Sequence, residues 1–231
     1  MKSIGILGGF GPQATMDLVR RIHVVSQRLI PQDWNRGYPP LVVHYLRVPP
    51  VATTDGGPPL LPLRASPELL AAAARAGAHA DFLLVAGNAP HLFQGEIEKA
   101  AGRPILSMIE VALAEVGRRG WRTVGVLGFG SAAVPVYTDR MRAAGMRCQV
   151  IDEALQRRIN AAVVRVQEGR ETEESRETVR EAVALLRGRG VDGTILGCTE
   201  LGPLLDSDAE AEDLVDPVPL LAEAAVRRAM E

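Results

Sequence analysis

The chain has 231 residues, of which 47% are hydrophobic, and its 26 basic and 28 acidic side chains leave a net charge of −2. This length and composition are sufficient to bury one large core or two smaller ones. The balanced charge excludes a polycationic surface for nucleic acid or for a membrane, so a small-molecule ligand is expected. There is no apolar segment of about 18 residues, and the strand-like run Ile4–Leu7 follows Met1-Lys2 directly, which predicts a cytoplasmic protein without a signal peptide.

Short runs of Val, Ile and Leu alternate with helical patterns along the whole chain. This alternation predicts parallel strands covered by helices, and therefore an α/β fold. Helix start signals support the assignment, because Ser66-Pro67 has the form of an N-cap followed by a first-turn proline, and Asp216-Pro217 starts the last predicted helix. The predicted strands are Ser3–Gly8, Leu41–Leu46, Asp81–Ala86, Arg122–Gly128, Arg147–Ile151 and Asp192–Gly197.

Two segments of the first half have counterparts in the second half. Ile4–Gly11, a strand followed by a glycine turn, resembles Val124–Gly130, and Phe82–Asn88 resembles Gly193–Thr199. This internal repeat predicts two pseudo-symmetric lobes, each a mostly parallel sheet flanked by helices. Ligands of such sheets bind at the carboxyl ends of the strands, so we expect the site in a cleft between the lobes.

The predicted boundaries place residues 1–104 and 213–231 in the first lobe and residues 105–212 in the second. The last helix therefore follows the second lobe in the chain but is expected to pack on the first. A long irregular segment, Arg47–Pro67, contains six prolines and a glycine pair. Such a loop is typical of an active-site lid or of an oligomer contact.

The segment Gly9–Ala14 matches the pattern G-x-G-x-x-A of dinucleotide-binding turns, and it lies between a strand and a helix. However, the second strand leads into Arg47 with no acidic residue for a ribose, and the pattern recurs at Gly128–Ala133. A tight turn that lets strand and helix pack closely is the simpler interpretation. The amino end of the helix, with Gly9 and Gly11, can also bind a substrate carboxylate through backbone N–H groups.

The chain has two lysines, Lys2 and Lys99. Pyridoxal phosphate requires a lysine Schiff base in the active site. Lys2 precedes the first strand, and Lys99 lies beside Glu98 in a pattern typical of a solvent-exposed helix face. We therefore expect chemistry without pyridoxal phosphate, and without any cofactor. No group of His, Cys, Asp and Glu has metal-ligand spacing either.

The two cysteines have different surroundings in the sequence, which argues against a disulfide between them. Cys198 follows a buried strand at the start of a predicted helix, where the helix dipole and backbone N–H groups would lower the pKa of its thiol. Cys198 is therefore the candidate acid or base, with a buried and inert thiol as the alternative. Cys148 lies within a predicted strand, and we assign it a structural role.

Asn88 and His91 follow the matching strand of the first lobe. The Asn88 side chain can donate and accept hydrogen bonds, as a substrate carboxylate or an oxyanion requires. His91 can act as an acid or a base near neutral pH, although a single histidine is more often structural. Arg47, after the second strand, can form a bidentate pair with a carboxylate or lie on the surface.

Together these segments resemble the aspartate/glutamate racemase superfamily. Gly5–Thr15 (GILGGFGPQAT) is similar to the opening motif of that family, and Leu196–Leu201 (LGCTEL) is similar to its second cysteine motif. The resemblance implies two facing lobes, a homodimer, and cofactor-independent proton transfer at the α-carbon of an amino acid by two opposed cysteines. It also implies that Cys198 is the second of these cysteines.

The first cysteine motif of the family is cysteine, asparagine, threonine, any residue, histidine, whereas this chain has Gly87-Asn88-Ala89-Pro90-His91. Gly87 thus takes the position of the first catalytic cysteine. By this resemblance the catalytic positions are Cys198, Gly87 and His91. The expected substrate-binding positions are Gly9, Gly11, Arg47, Asn88, Ala89, Thr199 and Glu200.

We expect a racemase-like isomerase that acts on aspartate or glutamate, in which a water molecule or His91 replaces the missing thiol. A single-cysteine decarboxylase or isomerase of a dicarboxylate is the alternative enzyme, because similar families on this architecture protonate one face of a carbanion with one thiol. A ligand-binding relative without turnover is the third hypothesis.

Overall fold

The computed structural model of the protein describes residues 1–53, 60–206, 209 and 211–231, with only the backbone for residues 131–133. The described residues form two compact units. The first unit contains Met1–Met108 and Val218–Glu231, and the second contains Ile109–Pro217. Each unit has a parallel sheet and flanking helices, which confirms the predicted α/β fold.

The first unit is built on a three-stranded parallel sheet with the order β2-β1-β3. Strands β1 and β3 are buried throughout, which explains their uninterrupted apolar sequences. A short 3₁₀ helix, Ala89–Phe93, follows the third strand. The strands and α-helices are β1 (Ile4–Gly8), α1 (Pro12–Leu29), β2 (Leu41–Tyr45), α2 (Pro67–Gly77), β3 (Phe82–Val85) and α3 (Gln94–Ala101).

The second unit repeats this plan and adds one strand, in the order β5-β4-β6-β7. Its first three strands have the same spatial order as the three strands of the first unit. The strands and helices from the unit boundary onward are α4 (Met108–Arg118), β4 (Thr123–Gly128), α5 (Gly130–Ala143), β5 (Arg147–Gln149), α6 (Glu153–Gln167), α7 (Glu173–Gly188), β6 (Gly193–Gly197), α8 (Leu201–Leu205), β7 (Leu214–Val215) and α9 (Pro217–Met230).

The repeat extends to one aspartate in each unit, at the amino ends of the strands. In the first unit, Asp81 Oδ2 accepts hydrogen bonds from the backbone N–H and the hydroxyl of Ser3, at 2.6 and 3.0 Å. In the second unit, Asp192 Oδ2 accepts from the backbone N–H groups of Arg122 and Thr123, at 2.6 and 2.8 Å. These bonds lower the pKa of both carboxyls, because they favour the charged form. Each unit thus fastens its first and third strands in the same way.

The unit boundaries differ by a few residues from those expected at 104/105 and 212/213. Residues after position 104 still belong to the first sheet, because Ile105 forms a parallel bridge with Leu83 and the Leu106 N–H donates to the Leu83 carbonyl at 2.8 Å. Likewise, the short strand β7 pairs with β6, so Leu214 and Val215 belong to the second unit. The sequence did not reveal β7, since two residues are too short for a recognisable alternation.

Helix α9 contacts the first unit although it follows the second unit in the chain. The Lys2 N–H donates to the Ala229 carbonyl at 2.8 Å. Arg28 forms a salt bridge with Glu223 at 2.6 Å. Through these contacts, a helix from the far end of the sequence packs on the first unit.

The proline-rich segment Arg47–Pro67 has paired ends. Val51 and Ala65 form an antiparallel bridge, and the Ala52 N–H donates to the Arg64 carbonyl at 2.9 Å. Residues 54–59, which fall within the segment assigned to a lid or an oligomer contact, lie outside the described residues. Both of those roles stay predictions.

Candidate active site

Cys198 lies directly after β6, at the carboxyl edge of the second sheet. Its side chain is buried, with 7% of the residue surface exposed. The cysteine is followed by a turn and then by α8, a helix of five residues. The position after the strand agrees with the sequence-based prediction, whereas the helix is much shorter than a stable dipole requires.

A buried carboxylate accepts a hydrogen bond from the thiol. Cys198 Sγ donates to Glu200 Oε2 at 3.0 Å, and the Thr199 hydroxyl donates to the same oxygen at 2.9 Å. The other oxygen, Glu200 Oε1, accepts from Gln167 Nε2 at 3.2 Å. These three side-chain donors are all neutral groups.

The predicted low pKa of the Cys198 thiol is wrong. Burial raises this pKa well above its ordinary value, and the nearby negative charge of Glu200 raises it further, together with the hydrogen bond to Glu200. Backbone N–H groups of Glu200 and Thr199 act in the opposite direction but are outweighed. The resting side chain is therefore a neutral thiol that donates to a carboxylate, rather than a thiolate at a helix end.

Gly87 lies two residues after β3, at the corresponding edge of the first sheet, and does not adopt a positive φ. A Cβ atom at this position would lie 3.3 Å from Phe10 Cδ2 and 3.6 Å from Pro90 Cδ. The first distance is short, so the Phe10 ring would have to move by a few tenths of an ångström to admit a side chain. The backbone thus permits a larger residue, and the ring of Phe10 is the obstacle.

His91 holds the loop after β3 through both of its ring nitrogens. Nδ1 lies 3.0 Å from the Gly87 carbonyl oxygen, and Nε2 accepts a hydrogen bond from the Met108 backbone N–H at 3.2 Å. The residue is buried, with 2% of its surface exposed. Proton transfer from His91 to a ligand would require one of these bonds to break, and its acid/base role stays a prediction.

Asn88, which precedes the 3₁₀ helix, is also buried, and its carbonyl accepts from the His91 backbone N–H at 3.0 Å. The Asn88 side chain does not cap the 3₁₀ helix that begins at Ala89. The amide group is therefore not used for local helix capping. Its predicted role as a ligand donor remains a prediction, as does contact of Ala89 with the substrate.

The glycine turn after β1 requires glycine at position 9. Gly9 has a φ of 88°, and a Cβ atom there would lie 2.4 Å from the Leu46 carbonyl oxygen. The Gly9 N–H donates to the Thr15 hydroxyl at 2.9 Å, so this donor has an acceptor inside the protein. Helix α1 has Gly11 as its N-cap residue, without a side-chain cap.

The exposed Arg47 follows Leu46, with its guanidinium 5.1 Å from the centre of the Tyr45 ring.

The corresponding turn in the second unit is also occupied by protein groups. The Gly130 N–H donates to Asn160 Oδ1 at 3.0 Å, and Gln156 Nε2 donates to the Gly128 carbonyl at 2.8 Å. The Asn160 side chain from α6 thus occupies the Gly130 N–H, a donor that a phosphate would need in a dinucleotide-binding turn. This arrangement supports the interpretation of both glycine patterns as packing turns.

The model of the Asp/Glu/hydantoin racemase family matches residues 7–225, which is nearly the whole sequence. The chain belongs to this family. The matched range includes both glycine turns, the Gly87 loop and Cys198.

Solved structures of racemases share the fold. An aspartate racemase homologue from Pyrococcus horikoshii OT3 is 22% identical, with a TM-score of 0.75 and coverage of 100% of both chains. The aspartate racemase of Picrophilus torridus is 19% identical, with a TM-score of 0.76 over 100% of this chain and 95% of that one. Glutamate racemase from Francisella tularensis, in complex with D-glutamate, is 15% identical, with a TM-score of 0.66 over 99% of this chain and 81% of that one. At these identities the similarity shows the fold alone.

Three residues near the candidate site of this racemase-family protein were not found from the sequence. Gln167 donates to Glu200, and the Phe10 ring lies close to the position that a Cβ atom of residue 87 would occupy. The third, Tyr137, is fully buried against Gly197, and burial together with the charge of Asp216 raises the pKa of its phenol. Gln167 and Tyr137 are far from Cys198 in the chain, and no motif links them to it.

Cys148 lies in β5, half-buried, and burial raises the pKa of its thiol to about 11. It is a free thiol, as is Cys198.

Within the described ranges, no group of three or more His, Cys, Asp or Glu side chains could hold a metal ion. In the same part of the chain, every helix is too short or too polar to cross a membrane.

Proposed function

We propose that the protein is a cofactor-independent, racemase-like isomerase that transfers a proton at the α-carbon of aspartate or glutamate, with the Cys198 thiol as acid and base. The observation that carries this proposal is the buried hydrogen bond between Cys198 Sγ and Glu200 Oε2, at 3.0 Å. Membership of the racemase family supports the reaction class.

The carboxylate gives the thiol a place to leave its proton. When Glu200 accepts the proton, the pair becomes a thiolate beside a neutral carboxylic acid, and it still carries one negative charge. The thiolate then removes a proton from the α-carbon. Return of that proton by the same thiol regenerates the starting enantiomer, so inversion requires that a water molecule or His91 protonates the carbanion from the opposite face.

The donors of Gln167 and Thr199 hold the carboxylate in place for this exchange. They occupy both oxygens of Glu200, at 3.2 and 2.9 Å, so the carboxylate cannot rotate freely away from the thiol. All three donors are neutral groups, so they orient the carboxylate without adding a positive charge beside the thiol.

An acidic substrate needs donors for its carboxylates. Arg47, the Asn88 amide and the amino end of α1 at Gly11 are the groups of the first unit that we assign to this task, whereas the Gly9 N–H already donates to the Thr15 hydroxyl. An acidic amino acid has two carboxylates, and a dicarboxylate has the same requirement. A homodimeric and cytoplasmic protein remains the expectation from the sequence.

The second candidate is a single-thiol decarboxylase or isomerase of a dicarboxylate. It is favoured by one observation: position 87 has no side chain, and the Phe10 ring lies where a Cβ atom would make a close contact. Loss of carbon dioxide from a substituted malonate leaves a carbanion that needs a proton on one face only. The neutral Cys198 thiol is in the protonation state that such a step requires.

Incubation in D₂O separates the two candidates. L-aspartate, L-glutamate and substituted malonates are each incubated with the protein, and the products are analysed by mass and by chiral chromatography. Deuterium incorporation with inversion supports the racemase, whereas decarboxylation with deuterium at one face supports the second candidate. Absence of exchange and of decarboxylation for all of these compounds contradicts both and leaves the ligand-binding hypothesis.

A further inference from the structure

The position of His91 suggests a role that differs from acid/base catalysis. We propose that His91 is a positioning residue, which sets the orientation of the Gly87–Asn88 peptide in the loop after β3. The proposal rests on the proposed function, in which the Asn88 side chain of this loop binds a substrate carboxylate. Its basis is the pair of buried contacts from the imidazole, to the Gly87 carbonyl at 3.0 Å and from the Met108 N–H at 3.2 Å.

The two contacts fix the tautomer of the ring. A backbone N–H can only donate, so Nε2 must be the nitrogen with the free lone pair. In a neutral imidazole the other nitrogen then carries the proton, and Nδ1–H donates to the Gly87 carbonyl oxygen. The imidazole therefore links the Met108 N–H to the Gly87 carbonyl through two hydrogen bonds, and the position of the N–H determines where the carbonyl points.

The carbonyl in turn determines the orientation of its peptide plane. A trans peptide is planar and its C=O and N–H groups point in opposite directions, so a fixed Gly87 carbonyl directs the Asn88 N–H away from the imidazole. The His91 backbone N–H also donates to the Asn88 carbonyl at 3.0 Å. His91 thus holds two successive carbonyl groups, one through its side chain and one through its backbone N–H. These bonds also fix the Asn88 Cα atom, to which the Asn88 side chain is attached.

Two substitutions separate the two ring contacts. In His91→Asn, the side-chain nitrogen is as many bonds from the Cα atom as Nδ1, so it can keep the bond to Gly87. In His91→Gln, the side-chain oxygen is as many bonds from the Cα atom as Nε2, so it can keep the bond from Met108. Each variant loses one buried hydrogen bond, and we expect similar thermal stabilities for the two.

The functional readout is the difference between the matched variants. We expect His91→Gln to lower kcat/KM for proton exchange by about 10²-fold, because a small misplacement of a positioned group can have this effect. His91→Asn, which keeps the bond to Gly87, should lower kcat/KM less than His91→Gln does, with the larger part of the difference between the variants in KM. Equal activities of the two folded variants would overturn the proposal.

A spectrum recorded without substrate tests the arrangement itself. The chain has four histidines, so ¹⁵N–¹H correlation spectra of the imidazoles can be assigned with single substitutions of His23, His44 and His79. We expect the Nδ1–H tautomer for His91, and the Nε2–H tautomer would overturn the proposal. If the wild type shows no proton exchange, the proposed function fails. The positioning role is then decided by the ¹³C shift of the Gly87 carbonyl, which should change in His91→Gln and not in His91→Asn.

Discussion

The carboxyl edges of the two sheets differ in chemistry although the two units share a strand order. In the second unit, a buried thiol donates to a buried carboxylate, so that edge contains a proton and a group that can accept it. In the first unit, the matching position is Gly87, and the polar groups around it are backbone carbonyls held by His91. In the proposed function, proton transfer therefore belongs to the second unit, and the first unit binds the substrate.

The largest expected effect is loss of the thiol in the second unit. Cys198→Ala should remove proton exchange at the α-carbon, with a decrease of at least about 10²–10⁴-fold, the contribution of a general acid/base. Deuterium incorporation from D₂O, measured by mass, reports the effect. Cys148→Ala is the matched control, since Cys148 lies half-buried in β5, and its activity should equal that of the wild type. A folded Cys198→Ala protein with most of the wild-type exchange rate would mean that the thiol is structural.

The next largest effect is a gain in the first unit. Gly87→Cys should accelerate racemisation of aspartate or glutamate by about 10²-fold, because inversion uses an acid and a base on opposite faces of the carbon. The gain should be larger with Phe10→Leu in the same protein, since the Phe10 ring lies 3.3 Å from the Cβ position. Polarimetry measures the rate.

Gly87→Ala with and without Phe10→Leu provides the control for this gain. The φ of Gly87 is not positive, so the alanine variants should fold. The expected gain is contradicted if the alanine variants fold and neither cysteine variant racemises faster than its alanine counterpart. A thiol at position 87 then does not act as a second acid or base.

A smaller effect concerns the carboxylate beside the thiol. Glu200→Gln removes the negative charge that raises the pKa of Cys198, so its thiolate fraction should increase. The wild-type thiol stays protonated as the pH rises through about 8.5, the ordinary thiol pKa. Alkylation by iodoacetamide should therefore be slow in the wild type and faster in the variant at this pH, because the thiolate is the nucleophile.

Alkylation is measured in a Cys148→Ala background, so that Cys198 is the one thiol that reacts. Turnover should change in the opposite direction, with a decrease of about tenfold or more, because the carboxylate no longer accepts the thiol proton. Faster turnover in Glu200→Gln would indicate that the carboxylate only suppresses the thiol.

The smallest effect compares helix caps in the two units. The Ser66 hydroxyl accepts from the Leu69 N–H at 3.1 Å in α2, and the Asp152 carboxylate accepts from the Leu155 N–H at 2.9 Å in α6. Replacement of either cap by alanine should lower the free energy of unfolding by about 1 kcal/mol. Urea denaturation followed by circular dichroism measures both, and turnover below the transition should be unchanged. A lower free energy of unfolding in one variant alone would show that the two caps do not contribute equally to stability.

Much of the fold follows from patterns that are local in the sequence. Six strands were predicted within a few residues of their observed ends, because each is a short apolar run between turn signals. The cap at Ser66 was also recognisable, and its side chain makes the expected bond. Strand β7 was missed because it has two residues, and its place in the sheet depends on pairing with β6.

The candidate site was predictable in position but not in electrostatics. Cys198 lies directly after its strand as expected, whereas its pKa is raised rather than lowered. The sequence shows Glu200 two residues away but not that both side chains are buried and bonded. The hydrogen bond from Gln167 to Glu200 and the approach of the Phe10 ring to position 87 bring together residues that are distant in the chain. Such contacts depend on the folded backbone, so no spacing rule predicts them.

The paired aspartates, Asp81 and Asp192, have a consequence for the history of the molecule. Each carboxylate accepts two hydrogen bonds from the start of the first strand in its unit, far from the carboxyl edge where Gly87 and Cys198 lie. Two copies of one ancestral half, joined in tandem, would inherit this arrangement together. Because the fastening is at one end of the strands and the reactive groups are at the other, either copy can exchange a loop residue while its sheet stays intact. Duplication of such a half would leave the architecture constant and would allow the chemistry of the two copies to diverge.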